Sequence, residues 1–327
     1  KRKIVNMQTK QRKSASPILI AIVVLILIGA ALLAAISLNQ VRAGEGQFIS
    51  NLWDRNPTEA AADPYLAGDS AALPIPPYVK TIMLLGSDYS PGSGHRTDVM
   101  LLAAFNLKNG KINLFSFPRD LWVEIPGYYP QRLNVAEPLG GYELLGDTLA
   151  YNFGFRPDHY AIADFKGFKL IVDWLGGVDV QVTKHMEDSC FFTPENWCVV
   201  EPGTVYMDGD YALWYVRARL NTSDFDRTRR AQEVIQAIAR KALSPAYIFR
   251  LPSFIETALD VVETDMSMAD MWLYAFPLSK FFRQDIFTSY TLTPNEAAFY
   301  TTDEGASVLL PNYPAIQAIL LQVFWIE

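Results

Sequence analysis

Three apolar runs in quick succession, TIMLLGSD, DVMLLAAFN and KINLFSF between Thr81 and Phe117, constrain the fold more than any other feature of the sequence. Each has the length of a strand, and none alternates cleanly between apolar and polar residues. A strand with one wet face alternates, so these runs require a sheet covered on both faces. Lys108-Asn109-Gly110, between the second and third runs, marks a tight hairpin turn.

Downstream the helical and strand periods take turns. GGYELLGDTLAYNFG reads as helix, DHYAIAD as strand, FKGFKLIVDWLGG as a helix ending in glycines and VDVQV as strand, and DGDYALWYV and DRTRRAQEVIQAIARKAL read as helices. From 245 to 327 the pattern gives helices at about 249–262 and 267–277, short strands with turns, and a closing helix near 313–325. Strands alternating with helices predict an α/β fold, a three-layer α/β/α sandwich.

Residues 1–16 carry six of the 28 Lys and Arg residues and no acid, and Pro17 to Leu38 then runs 22 residues without a charge. That run matches the roughly 20 apolar residues that cross a bilayer core, and it is longer than the apolar core of a cleaved signal peptide. It reads as an uncleaved signal anchor, with a cytoplasmic basic tail (1–16), a transmembrane helix (17–38), a Pro-rich juxtamembrane linker (39–77) and an extracytoplasmic domain (78–327). The expected location is the cell membrane, crossed once. Beyond residue 16 all 35 acids face the remaining 22 basic residues, a net of −13. A surface that acidic excludes nucleic acid as a partner. The only cysteines, Cys190 and Cys198, fall on the oxidising side. A bridge between them would close a short loop and stabilise by about 2–3 kcal/mol. A zinc site with His185 lacks a fourth ligand at a recognised spacing.

Charges sit where the buried runs end. Asp88 closes LLGSD, Arg96 and Asp98 sit in HRTD, Arg119 lies in SFPRD, and a late cluster supplies Arg217, Arg219, Arg227 and Arg230. Guanidinium stays charged and forks onto phosphate oxygens as lysine cannot. A local arginine cluster on an acidic domain therefore fits a small phosphorylated ligand. On the helix from 226 to 243, Arg227 and Arg230 continue the stripe of Val234 and Ile238 inward, and Arg229 points to water. They occupy the helix end whose free N–H groups favour anions; ion pairing with Asp224 and Asp226 is the open alternative. Arg217 and Arg219, two apart, share a face only where the chain is extended, and LWYVRARLNTSD leaves its helix at about Tyr215. Asp88 and Asp98 flank YSPGSGHRT, which is no Walker loop because no Gly-Lys-Ser/Thr follows. A carboxylate at the end of a buried run needs a partner or a metal, and two carboxylates with a diphosphate hold magnesium. With His95, His159 and His185 as the only histidines and no Gly-x-Ser-x-Gly, a Ser-His-Asp hydrolase has no support.

In order and spacing, LLGSD, HRTDVMLLAAFN, SFPRD, RLN followed by LGG, FKGFKLIVDWLGGVDV, and VRAR with DFDRTRRAQ resemble the LytR-CpsA-Psr family of cell-envelope proteins, over about Lys80 to Leu243. The resemblance implies an extracytoplasmic α/β/α domain with a central mixed sheet. It also implies a phosphotransferase that moves a glycan polymer from a polyprenyl pyrophosphate carrier to peptidoglycan through a phosphodiester. Teichoic acid, capsular polysaccharide and arabinogalactan-type polymers are the family's cargo classes. Magnesium, or manganese, is expected on Asp88 and Asp98, and the pyrophosphate on Arg96, Arg119, Arg217, Arg219, Arg227 and Arg230. Arg96, Asp98, Arg119 and Arg219 would carry catalysis, with Asp98 or Asp226 as proton acceptor. An apolar pocket takes the lipid, its candidate liners being Val99, Leu101, Phe115, Phe165, Phe168, Ile171, Trp174 and Ile235, residues that serve equally as plain core. Asp226 and Ala231 stand where the family has Gly and Gln, with Gln232 a candidate substitute. The competing expectations are a pyrophosphatase that uses water, a non-catalytic receptor for isoprenoid lipid or wall glycan, and a regulator. A 16-residue tail without a helix-turn-helix opposes the last.

Overall fold

The structure, a computed structural model, describes residues 71–88, 97–220, 222–247, 250–271, 274 and 286–325. The expected membrane helix at 17–38, the basic tail, most of the linker and Arg96 lie outside them. Among the described residues no helix is long and apolar enough to cross a membrane.

The three apolar runs form β1 (Val79–Ser87), β2 (Thr97–Asn106) and β3 (Ile112–Ser116). Asn106 closes the β2–β3 turn, its side-chain oxygen accepting the N–H groups of Lys108 at 2.9 Å and Asn109 at 3.2 Å, and Gly110 takes a left-handed φ of 70°. A small hairpin, β4 (Trp122–Val123) and β5 (Gln131–Arg132), leads into α1 (Ala136–Phe153). β6 (His159–Asp164) and α2 (Phe165–Trp174) follow, then β7 (Val178–Val182), β8 (Met186–Ser189), β9 (Trp197–Val200) and β10 (Gly203–Met207). α3 (Gly209–Arg217), α4 (Asp224–Ala242), α5 (Leu251–Val261) and β11 (Val262–Thr264) come next. The chain closes with β12 (Phe287–Thr291), β13 (Ala297–Thr301), β14 (Ser307–Pro311) and α6 (Tyr313–Phe324).

The central sheet has the order β11-β6-β1-β2-β3-β12. It is mixed: β1 runs parallel to β6 and β3 parallel to β12, and the remaining pairs are antiparallel. Residue parity divides its two faces. Met100, Leu102 and Phe115 pack against Leu149 of α1 and Leu320 of α6, whereas Leu101, Ala103 and Leu114 pack with Ile235 of α4. Helices thus cover both faces, as the unbroken apolar runs require. Phe115 is paired with Leu102, so it belongs to the α1–α6 face and cannot line a pocket under α4. The expectation that placed it in the lipid pocket is corrected on that ground.

A second core gathers α2, α3 and α4 over β7 to β10, and Cys190 and Cys198 are disulfide-bonded across the β8–β9 hairpin. The sequence pattern missed that hairpin because Trp197 and Val199 are exposed although apolar, which spoils the alternation that marks β9.

Candidate active site

A cavity of about 810 Å³ opens between the β1–β2 end of the sheet and helices α2, α3 and α4. Asp88, Asp98, Arg119, Arg217, Arg219 and Arg227, expected from the sequence to share a site, all line it.

The ladder explains how Asp98 reaches the cavity. β1 and β2 keep register as far as Gly86 opposite Val99 and then jump to Ser87 opposite Thr97, so Asp98 is the extra residue of a β-bulge. A bulge re-aims its side chain. There Arg119 Nη1 donates to Asp98 Oδ1 at 2.5 Å. Asp88 lies one residue past β1, and its Oδ1 is buried with no hydrogen-bond partner among the described residues. An orphaned carboxylate oxygen is costly unless a cation meets it. Asp88 and Asp98 fit magnesium in the mode that takes one or two carboxylates and completes its shell from substrate phosphates. Among the described residues, no group of three or more His, Cys, Asp or Glu stands ready to hold a metal unaided.

Arg119 stands among acids. Burial acts to lower its pKa, but the Asp98 hydrogen bond and the charges of Asp120, Asp98 and Asp224 outweigh this and hold it above the usual value. α3 continues through Arg217, two residues further than the sequence pattern placed its end, and the Arg217 guanidinium lies 4.2 Å from the Phe165 ring centre. Ala218 then turns extended, and Arg219 returns to the same cavity. Two anchors fix this loop. Arg230 Nη2 donates to the Ala218 carbonyl at 2.5 Å, and the N–H groups of Arg219 and Leu220 donate to Asp188 Oδ2 at 2.6 and 3.0 Å. Burial tends to raise the pKa of Asp188, but those backbone donors prevail and hold it below the ordinary range.

Arg227 lies in the first turn of α4, which a capping box between Ser223 and Asp226 starts, and it is paired with Asp224. Burial lowers its pKa; Asp224 partly offsets this, and repulsion from Arg119 and Arg219 lowers it further. Three cations that repel one another around a cavity are stabilised by an anion between them.

Other expected residues point elsewhere. Arg230 is 1% exposed and is absent from the cavity wall; it sits in the second core, 5.8 Å from the Tyr215 ring centre. The helical wheel gave its direction correctly, but the interior it enters is the second core rather than the cavity. Asp226 is taken by Lys184 at 3.1 Å and by Ser223; burial opposes the shift, yet these contacts hold its pKa down to about 2, unsuited to accepting a proton. Gln232 donates to Ser116 Oγ at 2.7 Å and to the Tyr290 carbonyl at 2.8 Å, tying α4 to the sheet. Ala231 lines the cavity.

Val99, Leu101, Phe165, Phe168, Ile171 and Ile235 line the remainder of the wall, whereas Trp174 packs on Tyr247 and Phe254. Ile238 lines the wall as well, eleven positions along the helix from Arg227. The cavity thus extends about 16 Å along α4. The ion pair with Asp224 that the sequence left open for Arg227 is present, whereas Arg230 pairs with neither Asp224 nor Asp226 among the described contacts; sequence reasoning missed Asp188. Asp188 acts on backbone N–H groups 31 and 32 positions away, for which no side-chain signal exists.

The model of the LytR_cpsA_psr family matches residues 77–320. The chain belongs to the LytR_cpsA_psr family. It is 32% identical over 189 residues to the regulatory protein MsrR of Staphylococcus aureus, covering 57% of this chain and 56% of that one. It is 30% identical over 196 residues to the polyisoprenyl-teichoic acid–peptidoglycan teichoic acid transferase TagT of Bacillus subtilis, covering 58% and 61%. The match therefore spans less than two thirds of either relative. In fold the domain resembles the crystal structure of B. subtilis TagV, with a TM-score of 0.65 at 22% identity over 75% of this chain and 96% of that one. It also resembles a structure of TagT bound to LIIa-WTA, with a TM-score of 0.60 at 24% identity over 75% and 90%.

Proposed function

We propose that this member of the LytR_cpsA_psr family is a membrane-anchored, extracytoplasmic phosphotransferase that moves a glycan polymer from a polyprenyl pyrophosphate carrier onto peptidoglycan. The observation that carries the reading is that Asp88, Asp98, Arg119, Arg217, Arg219 and Arg227 all line one largely apolar-walled cavity. TagT, a relative at 30% identity, bears the name of a transferase of that class. MsrR bears the name of a regulator, and the cavity favours the enzymatic reading.

Transfer of a phosphoryl group asks chiefly for positioning and for neutralisation of oxygen charge. The arginines fork onto the diphosphate, and Arg119 and Arg227 do so while partly buried, where attraction is least screened. The apolar wall takes the first isoprene units and keeps bulk water from the phosphorus. Asp88 and Asp98 are the residues that would hold magnesium, which when bound would further neutralise the diphosphate charge. An acceptor sugar hydroxyl attacks the glycan-side phosphorus, the bond to the bridging oxygen breaks, and polyprenyl phosphate leaves with the electron pair. The apolar run at 17–38 anchors the domain beside its lipid-borne donor.

The test is polymer transfer by the full chain in lipid nanodiscs, from a synthetic polyprenyl pyrophosphate saccharide to a peptidoglycan fragment. Wild type transfers in the presence of magnesium, and the Arg119→Ala and Arg219→Ala variants stay folded and transfer nothing. Donor binding with no release of polyprenyl phosphate marks a receptor instead, and release without a sugar product marks a pyrophosphatase.

A further inference from the structure

β1 is parallel to β6 and β3 to β12, and two antiparallel steps through β2 make β1 parallel to β3, so these four strands all end on one rim of the sheet. Open α/β sheets bind their ligands outside that rim. Asp88, Asp164 and Arg119, at or just past the ends of β1, β6 and β3, line the first cavity. β12 runs instead into Thr291, Leu292 and Thr293, which line a second cavity of about 200 Å³. Thr291 is paired with Ser116 of β3, a wall residue of the first cavity, so the two walls meet on neighbouring strands about 5 Å apart.

The first turn of α4 divides the two cavities. Asp224, Arg227 and Thr228 line the first, and Phe225, Asp226 and Arg229, on the opposite side of the helix, line the second. The charges of the second wall are already paired: Lys184 Nζ stands 3.1 Å from Asp226 Oδ1, and Arg229 Nη1 2.6 Å from Glu233 Oε1. Such a wall gains little from an ion. With the Thr291 and Thr293 hydroxyls it offers donors and acceptors side by side, which suits sugar hydroxyls, since each of them both donates and accepts. Arg229 Nε is buried and has no hydrogen-bond partner among the described residues, an unmet donor that a ligand oxygen would satisfy. An aromatic rim completes the wall. The Phe225 ring meets that of Phe299 edge-on with centres 5.9 Å apart, and Phe299 is 66% exposed. An exposed ring beside paired charges is an apolar surface for the C–H face of a sugar to cover. Phe299 is fixed relative to Arg119, because its register partner Leu309 donates its N–H to the Asp120 carbonyl at 2.9 Å.

Resting on the phosphotransfer reading, we propose that this second cavity is a saccharide subsite. Phe225 and Phe299 carry the face of a sugar ring, and Lys184, Asp226 and Arg229 meet its hydroxyls. A glycan seated there passes over the start of α4, a helix width of about 10 Å, and reaches Arg227 on the other side. Two glycans in the reaction present such rings, the polymer on the donor phosphorus and the peptidoglycan acceptor. No bond forms or breaks in the subsite; it sets the direction from which the chain approaches the diphosphate.

Binding to the full chain in lipid nanodiscs tests this with three probes: a polyprenyl pyrophosphate without sugar, the same pyrophosphate bearing a disaccharide, and a peptidoglycan tetrasaccharide. Phe299→Ala and Lys184→Ala each remove an exposed side chain, thermal melting checks the fold, and Thr291→Val serves if either variant fails to fold. Each is expected to weaken binding of at least one sugar-bearing probe about fivefold and to leave the sugar-free probe within about twofold. A loss on the disaccharide-bearing pyrophosphate assigns the subsite to the donor's glycan, and a loss on the tetrasaccharide assigns it to the acceptor. Folded variants that bind both sugar probes as wild type does, or that lose the sugar-free probe equally, overturn the subsite, as does a wild type that gains no affinity from the disaccharide and does not bind the tetrasaccharide. A wild type that does not bind the sugar-free pyrophosphate overturns the functional reading instead, and the tetrasaccharide arm then still decides whether the cavity takes a sugar.

Discussion

Replacing Arg230 by methionine separates what this side chain does from what its sequence context implied. The Arg230–Ala218 bond, at 2.5 Å, is buried at both ends. Losing the donor leaves the Ala218 carbonyl unsatisfied, a cost of about 1–3 kcal/mol. Against that, the guanidinium is a buried charge whose pKa burial lowers, with the Tyr215 contribution opposing, and an apolar residue of similar length escapes that desolvation. The net stability change is expected within about 2 kcal/mol, a melting shift of about 4–8 °C for a domain of this size. Activity should suffer more. Ala218 lies between Arg217 and Arg219, and without Arg230 their loop keeps only the Asp188 anchor. Loss of one charge-assisted phosphate contact, about 1.5–3 kcal/mol, reduces transfer about tenfold to a hundredfold. The assay is kcat/KM for the lipid pyrophosphate donor beside a thermal melt, with Arg230→Lys expected to recover most of the loss because one ammonium donor reaches the carbonyl. A folded Arg230→Met variant with wild-type kcat/KM refutes the positioning argument.

Three further outcomes follow from the same geometry. Changing Cys190 and Cys198 together to serine should cost about 2–3 kcal/mol of stability and raise the donor KM, because the stapled hairpin carries Asp188; a reductant should lower the melting temperature of wild type and leave the double variant unmoved. Asp226 has its folded pKa held down to about 2 against an ordinary 3.8, so it adds stability that is present above pH 4 and lost as the pH falls toward 2; acid unfolding followed by circular dichroism should show a shallower loss in Asp226→Asn over that window. Asp88→Asn should raise the magnesium concentration needed for half-maximal transfer at least tenfold, with the melting temperature kept or raised, since its buried Oδ1 has no hydrogen-bond partner among the described residues.

Strands and helices near the site were legible because long apolar runs and a 3.6 period survive in the sequence. β1 to β3, the turn at Gly110 and α4 lie where the residues placed them. The register was not legible, and it decides which residues share a wall. Leu101 and Phe115 are equally apolar, but pairing with Ser116 and Leu102 respectively sends them to opposite faces. The bulge at Asp98 is equally silent in sequence, since it is one residue's departure from the ladder. Arg230 shows a second limit: a helical wheel gives direction but cannot say which of two interiors lies along it.

The central claim is that one diphosphate is held by residues drawn from β1, β2, α3, α4 and the segment after β3. A crystal structure of the domain with magnesium and a short-chain polyprenyl pyrophosphate tests it most directly. The account predicts the diphosphate within hydrogen-bond reach of Arg119, Arg219 and Arg227, the metal on Asp88 and Asp98, and the isoprene chain between α2 and α4. A diphosphate bound elsewhere on the surface, with these arginines still paired to Asp98 and Asp224 and the cavity unfilled, contradicts it.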